Sequence, residues 1–334
     1  MRNLVALILL LIPQLATSQE WEDRQIFNEG APQVLRIISS TDTSLFAPII
    51  EKFVADQPDA KIEYLVTSTA DIDRKFRTTP EAFDVVISSA MDLQLKAAND
   101  GLAKVLDGVS HPSWAEWRQS LFAFTSEPAA IVVNRTAFAG HEVPKSRQEL
   151  IEAMRARPEV FQGRVGTYDV RRSGLGYLFA TQDARASETY WRLMEVMGSL
   201  NVRLYCCSGE MIDDLSDGTI AVAYNVLGSY ASARSESKDK FEVILPADFP
   251  TTMMRTAMVS RDAPEPDLAE AFIRHLISQQ LGVDSNAFPL PPLNGRSNEF
   301  DRATIALEPA LMTFLDTLKR RRFLAEWENA VIQK

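Results

Sequence analysis

Four short segments place hydroxyl side chains and glycine where an apolar run gives way to a helix-forming one: Ser39-Ser40-Thr41, Ser88-Ser89, Ser173-Gly174 and, less sharply, Ser208-Gly209. Each such turn offers free backbone N–H groups, a hydroxyl and the positive end of a helix at the carboxyl edge of a sheet, where open α/β sheets bind ligands. A single turn of this kind is only an N-cap. Four of them in separate strand-turn-helix units point to a shared cradle for negative charge, each exposed helix end contributing about 0.3–1 kcal/mol. Arg171 and Arg172 precede Ser173 in the same turn, and a guanidinium can hold a phosphate or carboxylate through two parallel hydrogen bonds. Arg172, which adjoins the cap, is the better placed; the competing reading is a pair of solvated arginines facing surface acids.

Catalysis finds little to work with. His111, His141 and His275 have no acid or nucleophile at motif spacing and read as isolated surface histidines. Nucleophile-elbow, zinc-protease, P-loop and dinucleotide patterns are missing. Gly174 and Gly176 follow a strand without the rest of a phosphate-binding glycine pattern. A phosphatase or lyase would need a metal cluster or an acid–base pair, and neither is visible, so the expectation is a non-enzyme without cofactor or metal. Cys206 and Cys207 are adjacent. They read as two small, partly buried thiols, or alternatively as a vicinal disulfide or soft-metal site at a cleft edge, although two cysteines without a nearby His make a poor metal site.

The elements that would position these residues follow from hydrophobic patterning. Val34–Ile38 reads as a β-branched strand, Ser39–Asp42 as a turn and Leu45–Gln57 as an amphipathic helix; Ala60–Leu65 is a second strand. Phe83–Ile87 is a continuous apolar run, as for a strand buried on both faces, and precedes a helix over Met91–Asn99. The middle of the chain repeats the pattern: strand Ala129–Asn134, helix Ser146–Arg155 with Glu149 completing a capping box, and strand Val165–Tyr168. Helices are expected over Tyr177–Gln182 and Ser187–Leu200 and after Ser208, then strands at Ile220–Tyr224, Phe241–Pro246 and Thr256–Ser260. Leu268–Ser278 and Pro309–Ile332 read as amphipathic helices, separated by the proline-rich Phe288–Asn294, which cannot be helix. Alternating strands and helices predict doubly wound, mostly parallel sheets.

The ends and composition set the compartment and scale. Arg2, the apolar run Leu4–Ile12 and the small residues Ala16-Thr17-Ser18 read as a secretory signal peptide over residues 1–18, cleaved before Gln19, and predict a periplasmic protein. About 316 residues would remain, enough for two hydrophobic cores. Loss of Arg2 leaves 34 basic against 45 acidic residues, a net charge near −11 that argues against nucleic acid or anionic membrane as partner.

With these elements in place, the chain resembles the periplasmic solute-binding proteins of ABC importers with the type II fold, in the branch of ferric-ion, hexose-phosphate and phosphoglycerate binders. The resemblance rests on Ile38–Thr41, Phe83–Gln94 (FDVVISSAMDLQ), Thr167–Asp183 (TYDVRRSGLGYLFATQD) and Ala223–Ala231 (AYNVLGSYA). It implies a two-lobed α/β Venus flytrap, each lobe a mixed sheet flanked by helices, with hinge closure on the ligand. Lobe 1 would comprise residues 34–126 plus 256–309 and lobe 2 residues 127–255 plus 310–334. Carried over residue by residue, it puts Ser39, Ser40, Thr41, Ser88 and Ser89 on the first lobe's cleft edge. Arg172, Ser173 and Gly174 face them from the second lobe, joined by Ser208, Tyr224 and Asn225. Ferric binders of this branch use two adjacent tyrosines and an early His; here Tyr224 and Tyr230 are six apart and residues 39–44 contain no His. That departure favours an organic anion, a sugar phosphate or phosphorylated three-carbon acid, over ferric ion. The resemblance further implies a monomer that delivers the solute to an importer permease or, as in regulatory relatives, reports it to the periplasmic domain of a sensor kinase.

Overall fold

The computed structural model describes residues 21–233, 239–281, 288–293 and 303–333. The expected signal peptide, and Asn294 at the end of the proline-rich connection, lie outside them.

The first sheet is built from β1 (Asp23–Phe27), β2 (Gln33–Ser39), β3 (Ala60–Val66), β4 (Val85–Ser88), β5 (Glu116–Trp117), β6 (Leu121–Ala123) and β13 (Thr256–Val259), in the order β1-β3-β2-β4-β13-β6-β5. The second contains β7 (Glu127–Asn134), β8 (Val165–Tyr168), β9 (Arg203–Tyr205), β10 (Val222–Leu227) and β11 (Phe241–Ile244), in the order β11-β7-β10-β8-β9, with β12 (Thr252–Met253) paired to β7. The parallel heart of the first sheet, β3-β2-β4, is connected by helices Thr43–Asp56 and Thr69–Thr78. All four residues of β4 are buried, as the continuous apolar run predicts.

The sheets are mixed, as the resemblance implies, rather than mostly parallel as the alternation of elements predicts. β13 lies antiparallel between β4 and β6, and β1 is antiparallel on the edge against β3. The cause is the route of the chain: it leaves the first lobe after β6 and returns before β13, so outgoing and returning segments run side by side in opposite directions. Phe124 N donates to Arg255 O at 2.9 Å and Arg255 N to Thr125 Oγ1 at 3.0 Å across this crossing.

Two further differences have local causes. Helix Thr69–Thr78 escapes the hydrophobic pattern because only Ile72 and Phe76, one turn apart, carry its buried apolar face; Ser68 starts it by accepting from Asp71 N. The helix expected over Pro309–Ile332 is instead a 3-10 segment, Pro309–Leu315, and a helix, Thr317–Val331. Asp316 separates them by accepting from Leu318 N and Lys319 N, each at 3.1 Å. The aromatic cluster of Phe46, Phe53 and Phe272 packs one face of the first sheet, and fully buried Trp327 anchors the last helix under the second.

Candidate functional site

At the end of β2, Ser39 is buried and fastens its own turn: its Oγ accepts from Thr41 N at 3.0 Å and from Tyr64 OH at 2.7 Å. Ser88 does the same after β4, accepting from Ala90 N at 3.1 Å. The residues after the two fasteners, half-buried Ser40 and buried Ser89, meet each other. Ser40 Oγ accepts from Ser89 N at 3.1 Å and lies 3.3 Å from Ser89 Oγ, so the two strand ends present paired hydroxyls.

The second lobe answers with β8 and the helix after it. Ser173 caps helix Gly174–Ala186, its Oγ accepting from Gly176 N at 3.1 Å. A Cβ at Gly176 would fall 2.3 Å from Tyr168 Cβ, so only glycine lets this helix close on its strand. Ser208 opens helix Ser208–Ser216 and shares a 2.5 Å hydrogen bond with Tyr168 OH.

These turns meet around one cavity of about 30 Å³ between the lobes. Ser40, Ser89 and the run Thr67-Ser68-Thr69 form one wall; Tyr168, Ser173, Ser208 and Tyr230 form the other. Glu22, Asp42, Cys206 and Cys207 border both this cavity and a larger crevice of about 520 Å³. Asp42, Ser68, Ser173 and Cys207 are each the N-cap of a helix, so four helix N-termini converge on the cavity. The lobes touch across it: Leu175 N donates to Thr69 Oγ1 at 3.1 Å and Tyr230 OH to Asp42 Oδ1 at 3.2 Å.

The structure thus brings together Ser40, Ser89, Ser173 and Ser208, with Ser39 and Ser88 buried directly behind them. Thr41 is also buried, its Oγ1 bonded to Arg255 Nη1 at 2.5 Å. Gly174 packs against Leu93, Thr69 and Ala90 of the opposite lobe. Three of the expected site residues sit elsewhere. Arg172 is exposed and does not line the cavity, because the turn folds back so that its N–H bonds Asp169 O at 3.0 Å. Arg171 grips the Asp169 carboxylate instead, with two contacts of 2.7 Å.

Tyr224 and Asn225 also point away from the cavity. A register shift in β10 between Tyr224 and Val226 puts Asn225 in the left-handed region, at φ 62°, and turns both side chains onto Asp183. Asp183 Oδ2 accepts from Tyr224 OH at 2.6 Å and Asn225 Nδ2 at 2.7 Å, while Oδ1 faces Arg147 Nη2 at 3.1 Å. Burial pushes the Tyr224 phenol well above its ordinary pKa, with Asp183 adding to the rise against the pull of Arg147. Breaking a buried pair leaves an uncompensated charge, worth about 3–5 kcal/mol. Asp183→Ala is therefore expected to lower the unfolding free energy by about 3–5 kcal/mol; chemical denaturation of the variant checks it, and a loss below about 1 kcal/mol would remove this network from the stability account.

Several lining residues were missed. Thr67-Ser68-Thr69 repeats the hydroxyl-turn pattern but precedes a helix hidden by its charged residues. Glu22 reaches the site from the segment before β1, which carries no pattern of its own. The expectation of surface histidines holds for exposed His141 and fails for the other two: His111 is partly buried with Nε2 2.8 Å from Ala123 O, and His275 stacks edge-on against Phe53.

Among the described residues, no lysine or arginine lines the cavity or the crevice. The Glu22 carboxyl is pushed above its usual range by burial and by the neighbouring Glu210, Asp42 and Asp71 carboxylates. Burial raises the Tyr168 and Tyr230 phenols, so both act as neutral hydrogen-bonding groups. Cys206 and Cys207 form a vicinal disulfide, with Cα atoms 3.8 Å apart. The lining thus offers hydroxyls and backbone amides deep in the cavity and carboxylates at its rim, a set suited to holding a small polar molecule.

Residues 49–284 match the family model described as bacterial extracellular solute-binding protein. The substrate-binding protein of an ABC transporter from Agrobacterium tumefaciens is 29% identical, with a TM-score of 0.83 over 92% of this chain and 98% of that one. AfuA from Actinobacillus pleuropneumoniae, solved with fructose-6-phosphate bound, shares the fold at 13% identity, with a TM-score of 0.70 over 91% and 100% of the two chains. Iron-bound HitA from Pseudomonas aeruginosa does so at 12% identity, with a TM-score of 0.66 over 90% and 99%. No curated protein matches the chain in sequence.

Proposed function

The chain belongs to the family of bacterial extracellular solute-binding proteins, and from that premise we propose that it captures a small phosphorylated solute between its lobes and delivers it to an ABC importer. Family membership makes it a binding protein rather than an enzyme. The signal peptide read in residues 1–18 fits a periplasmic site of action.

The observation that carries this reading is the convergence of hydroxyl turns and helix N-termini from both lobes on one cavity. Amide and hydroxyl donors there suit an anionic head group without a paired cation. Glu22 and Asp42, at the rim, suit the opposite end of the same ligand if it donates hydroxyl hydrogens, as a sugar does and a dicarboxylate does not. Fructose-6-phosphate in AfuA is such a molecule. A second reading has its own support: Tyr168 and Tyr230 share the cavity with Glu22 and Asp42, a set of hard oxygen donors suited to Fe³⁺, the ion class bound by HitA.

A thermal-shift screen of sugar phosphates, phosphoglycerates, dicarboxylates and Fe³⁺ separates the two, because a ligand that binds only the folded state raises the melting temperature. A sugar phosphate is expected to score. Each hydrogen bond to a charged group contributes about 1.5–3 kcal/mol, so Ser173→Ala and Ser208→Ala should each weaken binding about tenfold or more by calorimetry. A response to Fe³⁺ alone, or unchanged affinity in both variants, would overturn the phosphate reading.

A further inference from the structure

Solute capture leaves the vicinal cysteines unexplained. Cys207 is the N-cap of helix Ser208–Ser216 on the second lobe. Facing it from the first lobe is Glu22, whose two carboxylate oxygens both lie 3.9 Å from Cys207 Sγ. One donor atom each from Glu22, Cys206 and Cys207 fall within 4.8 Å of one another. The adjoining crevice is walled by Asp23, Asp42, Glu210 and Asp213, and no basic side chain lines it among the described residues. From this juxtaposition we infer that the reduced cysteine pair and Glu22 form a site for a thiophilic divalent cation of the zinc or cadmium class, which ties the two lobes together and which disulfide formation abolishes.

Donor chemistry selects the ion. Two thiolate sulfurs and one carboxylate oxygen supply three of the four positions of a tetrahedral d¹⁰ cation, with zinc–sulfur bonds of about 2.3 Å. The fourth position opens on the crevice. Mg²⁺ and Ca²⁺, which require shells of about six or more oxygens, are poorly served. The positive end of helix Ser208–Ser216 favours negative charge at Cys207. Three ligands drawn from two lobes also make binding depend on the lobes being together, so the ion acts as a latch across the cleft.

The structure holds the oxidised form, so the site must be opened by a reductant. A dithiol attacks one sulfur through its thiolate, passes through a mixed disulfide, and leaves as its own disulfide. Two electrons and two protons pass to Cys206 and Cys207, giving two thiols. Metal entry then expels one proton from each thiol as the two metal–sulfur bonds form.

The test uses the full chain and cadmium chloride alone. Protein is reduced with dithiothreitol, freed of it, and shown by thiol titration to carry two free cysteines. Addition of Cd²⁺ is expected to give thiolate-to-metal charge-transfer absorption saturating at one equivalent, with none in the oxidised protein or in Cys207→Ser. Glu22→Gln should weaken binding about tenfold while retaining the absorption. Reduced protein with two titratable thiols and no charge-transfer band would overturn the site, and a Glu22→Gln variant of unchanged affinity would overturn its span across the lobes. Solute binding is read separately on the oxidised protein, so neither result bears on the phosphate reading.

Discussion

Glu127→Ala is expected to lower the unfolding free energy by about 3–5 kcal/mol, among the largest effects of any single substitution in this chain. Glu127 and Arg255 are both fully buried where the chain crosses between lobes. Arg255 Nε donates to Glu127 Oε1 at 2.9 Å and Nη2 to Oε2 at 3.1 Å, while Nη1 reaches Thr41 in the first lobe. Ser229 of the second lobe donates to Glu127 Oε2 at 2.6 Å. Burial by itself would lower the Arg255 pKa, but Glu127 beside it overrides that and holds the guanidinium raised and charged. Removing the carboxylate therefore strands a full positive charge in the interior, whereas removing both partners does not. The double variant Glu127→Leu with Arg255→Met should recover most of the loss, since apolar replacement of a buried pair is often neutral. Urea denaturation of both variants checks this; a single variant within about 1 kcal/mol of the parent would show that the pair does not carry the crossing.

Gly174→Val is expected to prop the lobes apart and weaken solute binding about 100-fold or more, a loss of about 2.7 kcal/mol. A Cβ at Gly174 would lie 2.9 Å from Leu93 Cδ1, 3.0 Å from Thr69 Oγ1 and 3.2 Å from Ala90 Cβ, all on the facing lobe. Overpacking of this kind costs about 1–3 kcal/mol, and the lobes can escape it by opening. The three nearest obstacles all belong to the facing lobe, so the substitution acts on closure. Small-angle scattering should show a larger radius of gyration, and calorimetry with the solute found by thermal shift should show the lost affinity. Unchanged scattering and affinity together would place the closing contact elsewhere.

Both predictions rest on contacts between residues far apart in sequence, whereas the turns they support were legible one at a time. Ser173 announces itself because a helix start leaves backbone N–H groups that a nearby hydroxyl must satisfy, and Ser39 and Ser88 because each fastens the strand-to-helix turn just ahead of its helix; all three requirements are met within two or three residues. The same locality explains the failures. Tyr224 and Asn225 follow a strand like the others, but a bulge in β10 decides which face they take, and that face holds Asp183. Arg172 adjoins the cap in sequence, yet the fold of a single turn sends it to solvent.

The sequence by itself determined where strands end in hydroxyl turns and that its alternating elements build α/β layers, because both depend on periodicity and on neighbours a few residues away. Only the tertiary structure decided which turns share a cavity and what stands at its rim. Glu22 meets Cys207 across 185 residues, Tyr230 meets Asp42 across 188, and Arg255 meets Thr41 across 214. Such pairings are set by how two sheets pack across a crossing, and a sheet's packing is fixed by burial summed over its whole face, which no local run of residues encodes.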